Sequence, residues 1–160
     1  MGNAGKAQGI VSEDSADSLR QLLYISRAVH DFGDLDLRDL LYEARRNNLT
    51  YEITGLLFYI NFHFVQCIEG RPDRIGRLIA NIRDDDRNAD VTVLLDRPVT
   101  DRSFAEWSMG FRVMSMPELR DEPGFHDLRD ASDLFQVESA DTILLSLMRT
   151  QYRIGYGRNL

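Results

Sequence analysis

Residues 54–70, TGLLFYINFHFVQCIEG, constrain the fold of this chain more than any other stretch. Two apolar runs meet near Asn61 with glycine at either end, the pattern of a β-hairpin. If the second run, residues 63–69, is a strand, alternation puts Phe64, Gln66 and Ile68 on one face and Val65 and Cys67 on the other. Gln66 is then a carboxamide set in an apolar row, where each unmet hydrogen bond of a buried amide costs roughly 1–3 kcal/mol. It needs a partner that can both donate and accept. Nearby backbone would satisfy it in an ordinary core, so the rest of the chain must decide whether Gln66 does more.

Residues 19–26, LRQLLYIS, alternate as a first strand, with Leu22, Tyr24 and Ser26 on one face and Leu23 and Ile25 on the other. Tyr24 alone reads as a core aromatic whose hydroxyl is satisfied. After a loop rich in Asp and Gly, Asp36 suits the N-cap of a helix running to about Asn47, with Asp39 in its first turn. Leu37, Leu40, Leu41 and Ala44 form its apolar stripe, which continues to Asn47 and Asn48 at the end of the buried face. Those two amides read either as a C-cap or as groups aimed at the end of a core. Beyond the hairpin, Pro72 suits the start of a second helix to about Asp84, with Ile75, Leu78, Ile79 and Ile82 on one side. The acids at 84–86 crowd a helix C-terminus, where negative charge is unfavourable, and this favours a ligand-facing role for one of them. Residues 91–95 suit a fourth strand and 104–114 contain a fifth, in which Trp107 and Met109, two apart, are expected on one face.

The order β-α-β-β-α-β-β is that of an α/β (α+β) ferredoxin-like sandwich, one face of the sheet covered by two helices. The first and third strands are neighbours in that topology, so Tyr24 and Gln66 are expected side by side, facing the helices. Three segments follow: a small, polar, aperiodic leader at 1–17 expected to be disordered, a domain at 18–115, and a helical C-terminal extension at 116–160. In the extension, Pro117, Pro123 and Gly124 break the early part. Ala140, Ile143, Leu144, Leu147 and Met148 then mark an amphipathic helix behind a Ser139 cap, whose stripe needs a surface to cover.

Several chemistries lack support. With 160 residues and 43% hydrophobic content, one core is within reach. A net charge of −7, without any basic stripe, argues against nucleic acid. The lone Cys67 suits a reducing compartment, and apolar runs far short of the roughly 20 residues of a membrane span point to a cytoplasmic protein without a membrane partner. GNAGK near the start lacks the spacing and hydroxyl of a phosphate loop, and Lys6 stands where a myristoylation signal has Ser or Thr. His30, His63 and His126 are far apart with no Cys or acid at ligand spacing, which argues against a metal. No G-x-S-x-G or G-x-G-x-x-G occurs. What remains is a phenol, a strand amide, two helix-end amides and a Trp with a Met, a set suited to holding the polar edge of a flat heterocycle between aliphatic helix faces.

These residues resemble the blue-light-sensing, flavin-binding BLUF domains. The resemblance covers about residues 19–113 and rests on the tyrosine of LLYIS, RNN followed by ITGLLFY, FVQCIEG, the Asp and Arg near the end of the second helix, and FAEWSM. It implies FAD, or alternatively FMN or riboflavin, between the two helices, with the ring edge toward Tyr24, Gln66 and Asn48. Asn47, Asp85, Arg87 and Asn88 are then candidates along the ring and the ribityl-phosphate side, Asn88 falling where many relatives carry a His. It also implies light-driven electron and proton transfer from Tyr24, return to oxidised flavin, and a rearranged hydrogen-bond network at Gln66 by rotation or tautomerisation. Trp107 and Met109 resemble the pair that senses the amide and passes its state to the far face of the sheet. With no catalytic domain in view, the expected output is a shift in tail packing, in a homo-oligomer, or in contact with a downstream protein partner. Two other readings stand beside it: a flavin-free ferredoxin-like interaction module, and a flavin-dependent redox enzyme, for which no substrate base is visible.

Overall fold

The computed structural model describes residues 18–158, so the expected leader at 1–17 lies outside the described residues. Five strands and four helices follow in the order β1 (Leu19–Ala28), α1 (Asp34–Thr50), β2 (Thr54–Ile60), β3 (His63–Gly70), α2 (Pro72–Asp84), β4 (Asn88–Val99), β5 (Gly110–Met114), α3 (Met116–Arg120) and α4 (Ala140–Arg158). A 3-10 segment, Ala131–Gln136, precedes α4. The sheet runs β4-β1-β3-β2-β5, the ferredoxin-like α+β arrangement with one added edge strand. β1 is antiparallel to β3 and β4, whereas β5 lies parallel to β2.

The β2–β3 hairpin turns at Asn61 and Phe62, both at positive φ (42° and 67°), the tight turn whose twist matches that of the flanking strands. Its register sets Tyr24 opposite Gln66 across β1 and β3, and Leu57 opposite Gln66 across β2 and β3. Alternation then separates two cores. Leu22, Tyr24, Leu57, Phe64 and Ile68 face α1 and α2, where Leu37, Leu41, Ile75 and Ile79 meet them. Leu23, Ile25, Phe58, Val65 and Cys67 face the other way, against Phe104, Phe125, Leu144, Leu147 and Met148. The apolar stripe of α4 thus covers the second face of the sheet, each buried aliphatic side chain contributing about 1.5–3 kcal/mol.

Several boundaries differ from expectation, some through local caps and others through long-range contacts. Gly33, not Asp36, is the N-cap of α1; Asp36 lies at the third position and its carboxylate accepts from Gly33 N at 3.2 Å. The helix runs to Thr50 because its exit is held from outside: Arg74 donates to the Tyr51 carbonyl at 2.9 Å and Arg102 to that of Glu52 at 2.7 Å. Asn47 and Asn48 are therefore within the helix, and Tyr51 is the C-cap. β4 spans Asn88–Val99 rather than 91–95, its pairing with β1 continuing through two register shifts. Pro117 does not break the tail; it stands in the first turn of α3, behind a Ser115 cap.

Candidate functional site

A cavity of about 230 Å³ lies between α1 and α2 above the sheet. Its walls include Leu40 and Ala44 from α1 and Leu78 and Ile82 from α2; Tyr24, Leu57, Phe64 and Gln66 from the sheet also line it. The volume is below the roughly 300–1,000 Å³ of pockets that enclose a whole drug-sized molecule. It suits a flat ring system whose substituent chain leaves at the mouth. The space is not filled by side chains, which is the condition a ring-binding site must meet.

At its floor Tyr24 and Gln66 are 3% and 6% exposed. The Tyr24 hydroxyl donates to Gln66 Oε1, and Gln66 Nε2 faces Met109 Sδ at 3.3 Å. Burial, reinforced by the charge of Asp85, pushes the phenol well above its ordinary pKa, so it is neutral at physiological pH. The amide is therefore held by a strong partner at one end and a weak one, a thioether, at the other.

The other candidates from the sequence are distributed unevenly. Asn48 is buried and lines the cavity, with its amide nitrogen donating to the Ser108 carbonyl at 2.7 Å. Asn47 also lines the cavity but is exposed, because one residue along a helix is a rotation of about 100° away from the buried face. Asn88 lines it from the start of β4, where its Oδ1 accepts from Ser26 Oγ at 2.9 Å. Asp85 and Arg87 stand at the mouth, joined through Arg87 Nη2 to Asp85 Oδ2 at 2.6 Å, with Arg87 Nη1 also reaching Glu43 at 3.3 Å. Arg87 holds the Asp85 carboxyl below the usual carboxylate range, and its own charge is already matched by two acids.

Trp107 and Met109 do not share a face. β5 begins only at Gly110, and both residues belong to an irregular segment in which Trp107 N closes a turn on the Phe104 carbonyl at 3.2 Å. Without strand alternation, Met109 enters the helix-side core beside Gln66, whereas Trp107 packs on the far side. There its ring meets Tyr152 of α4 edge to face, centroids 4.8 Å apart. Gly110 makes that seat possible, since a Cβ on it would fall 2.2 Å from Trp107 Cε3.

Sequence reading missed Phe32, Glu43, Leu57 and Asn81 as lining residues. Glu43 and Asn81 lie four residues before Asn47 and Asp85, so one helical turn back from each candidate would have found them. For Phe32, in the loop before α1, no local pattern pointed inward.

A sheet floored by a phenol–carboxamide pair, under two helices that leave a ring-sized slot, defines a receptor for a flat heterocycle. Comparison with known proteins agrees with that class. Residues 19–110 match "BLUF: Sensors of blue-light using FAD", more than half of the chain, and the chain belongs to the BLUF family, which binds flavin. The dark-state structure of the BLUF protein BlrB superposes with a TM-score of 0.66 at 32% identity, covering 86% of this chain and 97% of that one. The ground-state structure of BlsA gives 0.71 at 27% identity, covering 82% and 87%. The photoactivated adenylate cyclase subunit beta of Euglena longa is 37% identical over 100 residues, 62% of this chain but only 12% of that protein. No helix among the described residues is long and apolar enough to cross a membrane.

Proposed function

We propose that residues 18–115 sense blue light through flavin and that the extension at 116–160 carries the output to a second copy of the chain or to a downstream protein, with no catalysis of its own. The observation that carries this reading is the Tyr24–Gln66 hydrogen bond at the floor of the inter-helix cavity. Tyr24, Gln66 and Asn48 hold the polar edge of the ring, while Asn47, Asp85, Arg87 and Asn88 surround the mouth side. Bound flavin supplies the absorption of blue light and an excited state that accepts an electron.

Tyr24 is equipped to give that electron. A neutral phenol becomes strongly acidic once oxidised, and its proton already points along a hydrogen bond to Gln66 Oε1. Gln66 is equipped to switch. Turning the amide end for end exchanges donor for acceptor at the ring edge, and the Tyr24 hydroxyl meets either end because it both donates and accepts. The contact given up at the other end is only the weak one to Met109 Sδ. An open cavity favours this reading over a flavin-free interaction module, whose helices would close on the sheet.

The test is spectroscopic. The purified protein should be yellow, and blue light should move its flavin absorption slightly to longer wavelength, reversibly and without bleaching. Tyr24→Phe and Gln66→Ala should each keep flavin and lose the red-shifted state; a normal photocycle in either variant removes the assigned role. Size-exclusion chromatography in light and in darkness checks the output, an unchanged elution volume excluding self-association as the readout.

A further inference from the structure

On the face of the sheet turned away from the cavity, the Glu69 carboxylate is completely buried, on the same strand as Gln66. Its Oε1 accepts from Gln21 Nε2 at 2.7 Å and from Ser103 N at 2.8 Å, and its Oε2 from Phe104 N at 3.0 Å. A carboxylate removed from water is tolerated only where its acceptor sites are filled, and two of these three donors are backbone groups of the segment leading into β5. That same segment ends at Met109, whose sulfur touches Gln66 on the opposite face. β3 thus grips residues 103–109 at both ends, with Glu69 on one side of the sheet and Gln66 on the other. Ser103 Oγ in turn accepts from Arg149 Nε of α4 at 3.1 Å.

Resting on the photosensor reading above, we propose that Glu69 is a positioning residue for signal output: it pins the start of the 103–109 segment, so that a change at Gln66 and Met109 pivots the segment and reaches α4 through Ser103 and Arg149. Without Glu69 the segment would keep its downstream anchors on the Trp107, Ser108 and Met109 carbonyls, and residues 103–106 would absorb a small displacement in their own backbone torsions. Pinned at Ser103 and Phe104 as well, the segment hands the displacement to the helix bonded there.

The test uses the full chain loaded with FAD. Backbone amide exchange across α4, and the emission of Trp107, the single tryptophan, are compared in darkness and under blue light. Glu69→Gln leaves one backbone donor facing an amide nitrogen instead of an acceptor. Arg149→Met keeps the stem of an exposed side chain and removes the donor, so it tests the route even if the first variant fails to fold. Both should keep flavin and the red shift of the unmodified chain, and both should lose the light–dark difference at α4. Persistence of that difference in either variant overturns the proposal, as does loss of flavin or of the red shift in either folded variant. An unmodified chain without a red shift overturns the photosensor reading and this inference with it.

Discussion

Tyr24 and Gln66 illustrate how much a single register decides. Their pairing across β1 and β3 follows from hydrophobic alternation in two strands, and a slip of one residue between the strands would put them on opposite faces of the sheet. The buried phenol also has a consequence for stability. Its pKa is raised in the folded chain by burial and then by Asp85, while an unfolded tyrosine ionises near pH 10. Above about pH 10 the unfolded state therefore holds fewer protons than the folded one, so stability falls as pH rises. Urea midpoints measured on the apoprotein from about pH 9 to 11 should decline, and Tyr24→Phe should decline less steeply. Some slope should remain, because burial also raises Tyr59 and the Cys67 thiol. Parallel slopes in the two proteins would contradict the protonated, buried state assigned to Tyr24.

Among the elements, α4 is the helix that covers the far face of the sheet. Its fully buried Leu144 and Met148 close the far-face core, and Tyr152 meets both Phe104 and Trp107 edge to face. Leu144→Ala should cost about 2–5 kcal/mol, read as a lowered denaturation midpoint, while the red shift survives because the cavity lies across the sheet. Loss of the red shift would mean that the two faces are not separable in this way. The segment before β5 shows the limit of pattern reading. FAEWSM looks like an alternating strand, yet β5 pairs with β2 only from Gly110 onward. Upstream, Gly55 N still bonds the Trp107 carbonyl at 3.0 Å, and Arg45 and Asn48 hold the Met109 and Ser108 carbonyls at 2.9 and 2.7 Å. Those separate anchors, not a ladder, set the directions of Trp107 and Met109.

For the molecule as a whole, the cavity makes stability depend on the ligand. A species that binds only the folded state adds RT ln(1 + [L]/Kd), about 2.7 kcal/mol at a hundredfold excess over Kd. The thermal midpoint of apoprotein should therefore rise with added FAD in a concentration-dependent way. A midpoint indifferent to FAD at concentrations that colour the protein would show that flavin does not occupy a site built by folding. The mouth of the cavity bears on the same binding. Among the described lining residues Arg87 is the one Lys or Arg, and its charge is already matched by Glu43 and Asp85.

The sequence alone determined what local periodicity can determine: the faces of β1 and β3, the apolar stripes of both covering helices, the neighbouring positions of Tyr24 and Gln66, and the need of the α4 stripe for a surface. These follow because side-chain direction in a regular strand or helix is set by residue spacing. The tertiary structure decided the rest: the extension of α1 past Asn48, the opposite faces of Trp107 and Met109, the ion pair at the mouth, and the junction of Gln21, Glu69 and Ser103. Most of these depend on partners far apart in the chain, and all involve helix ends or irregular backbone, where no period relates a residue's position to the direction of its side chain.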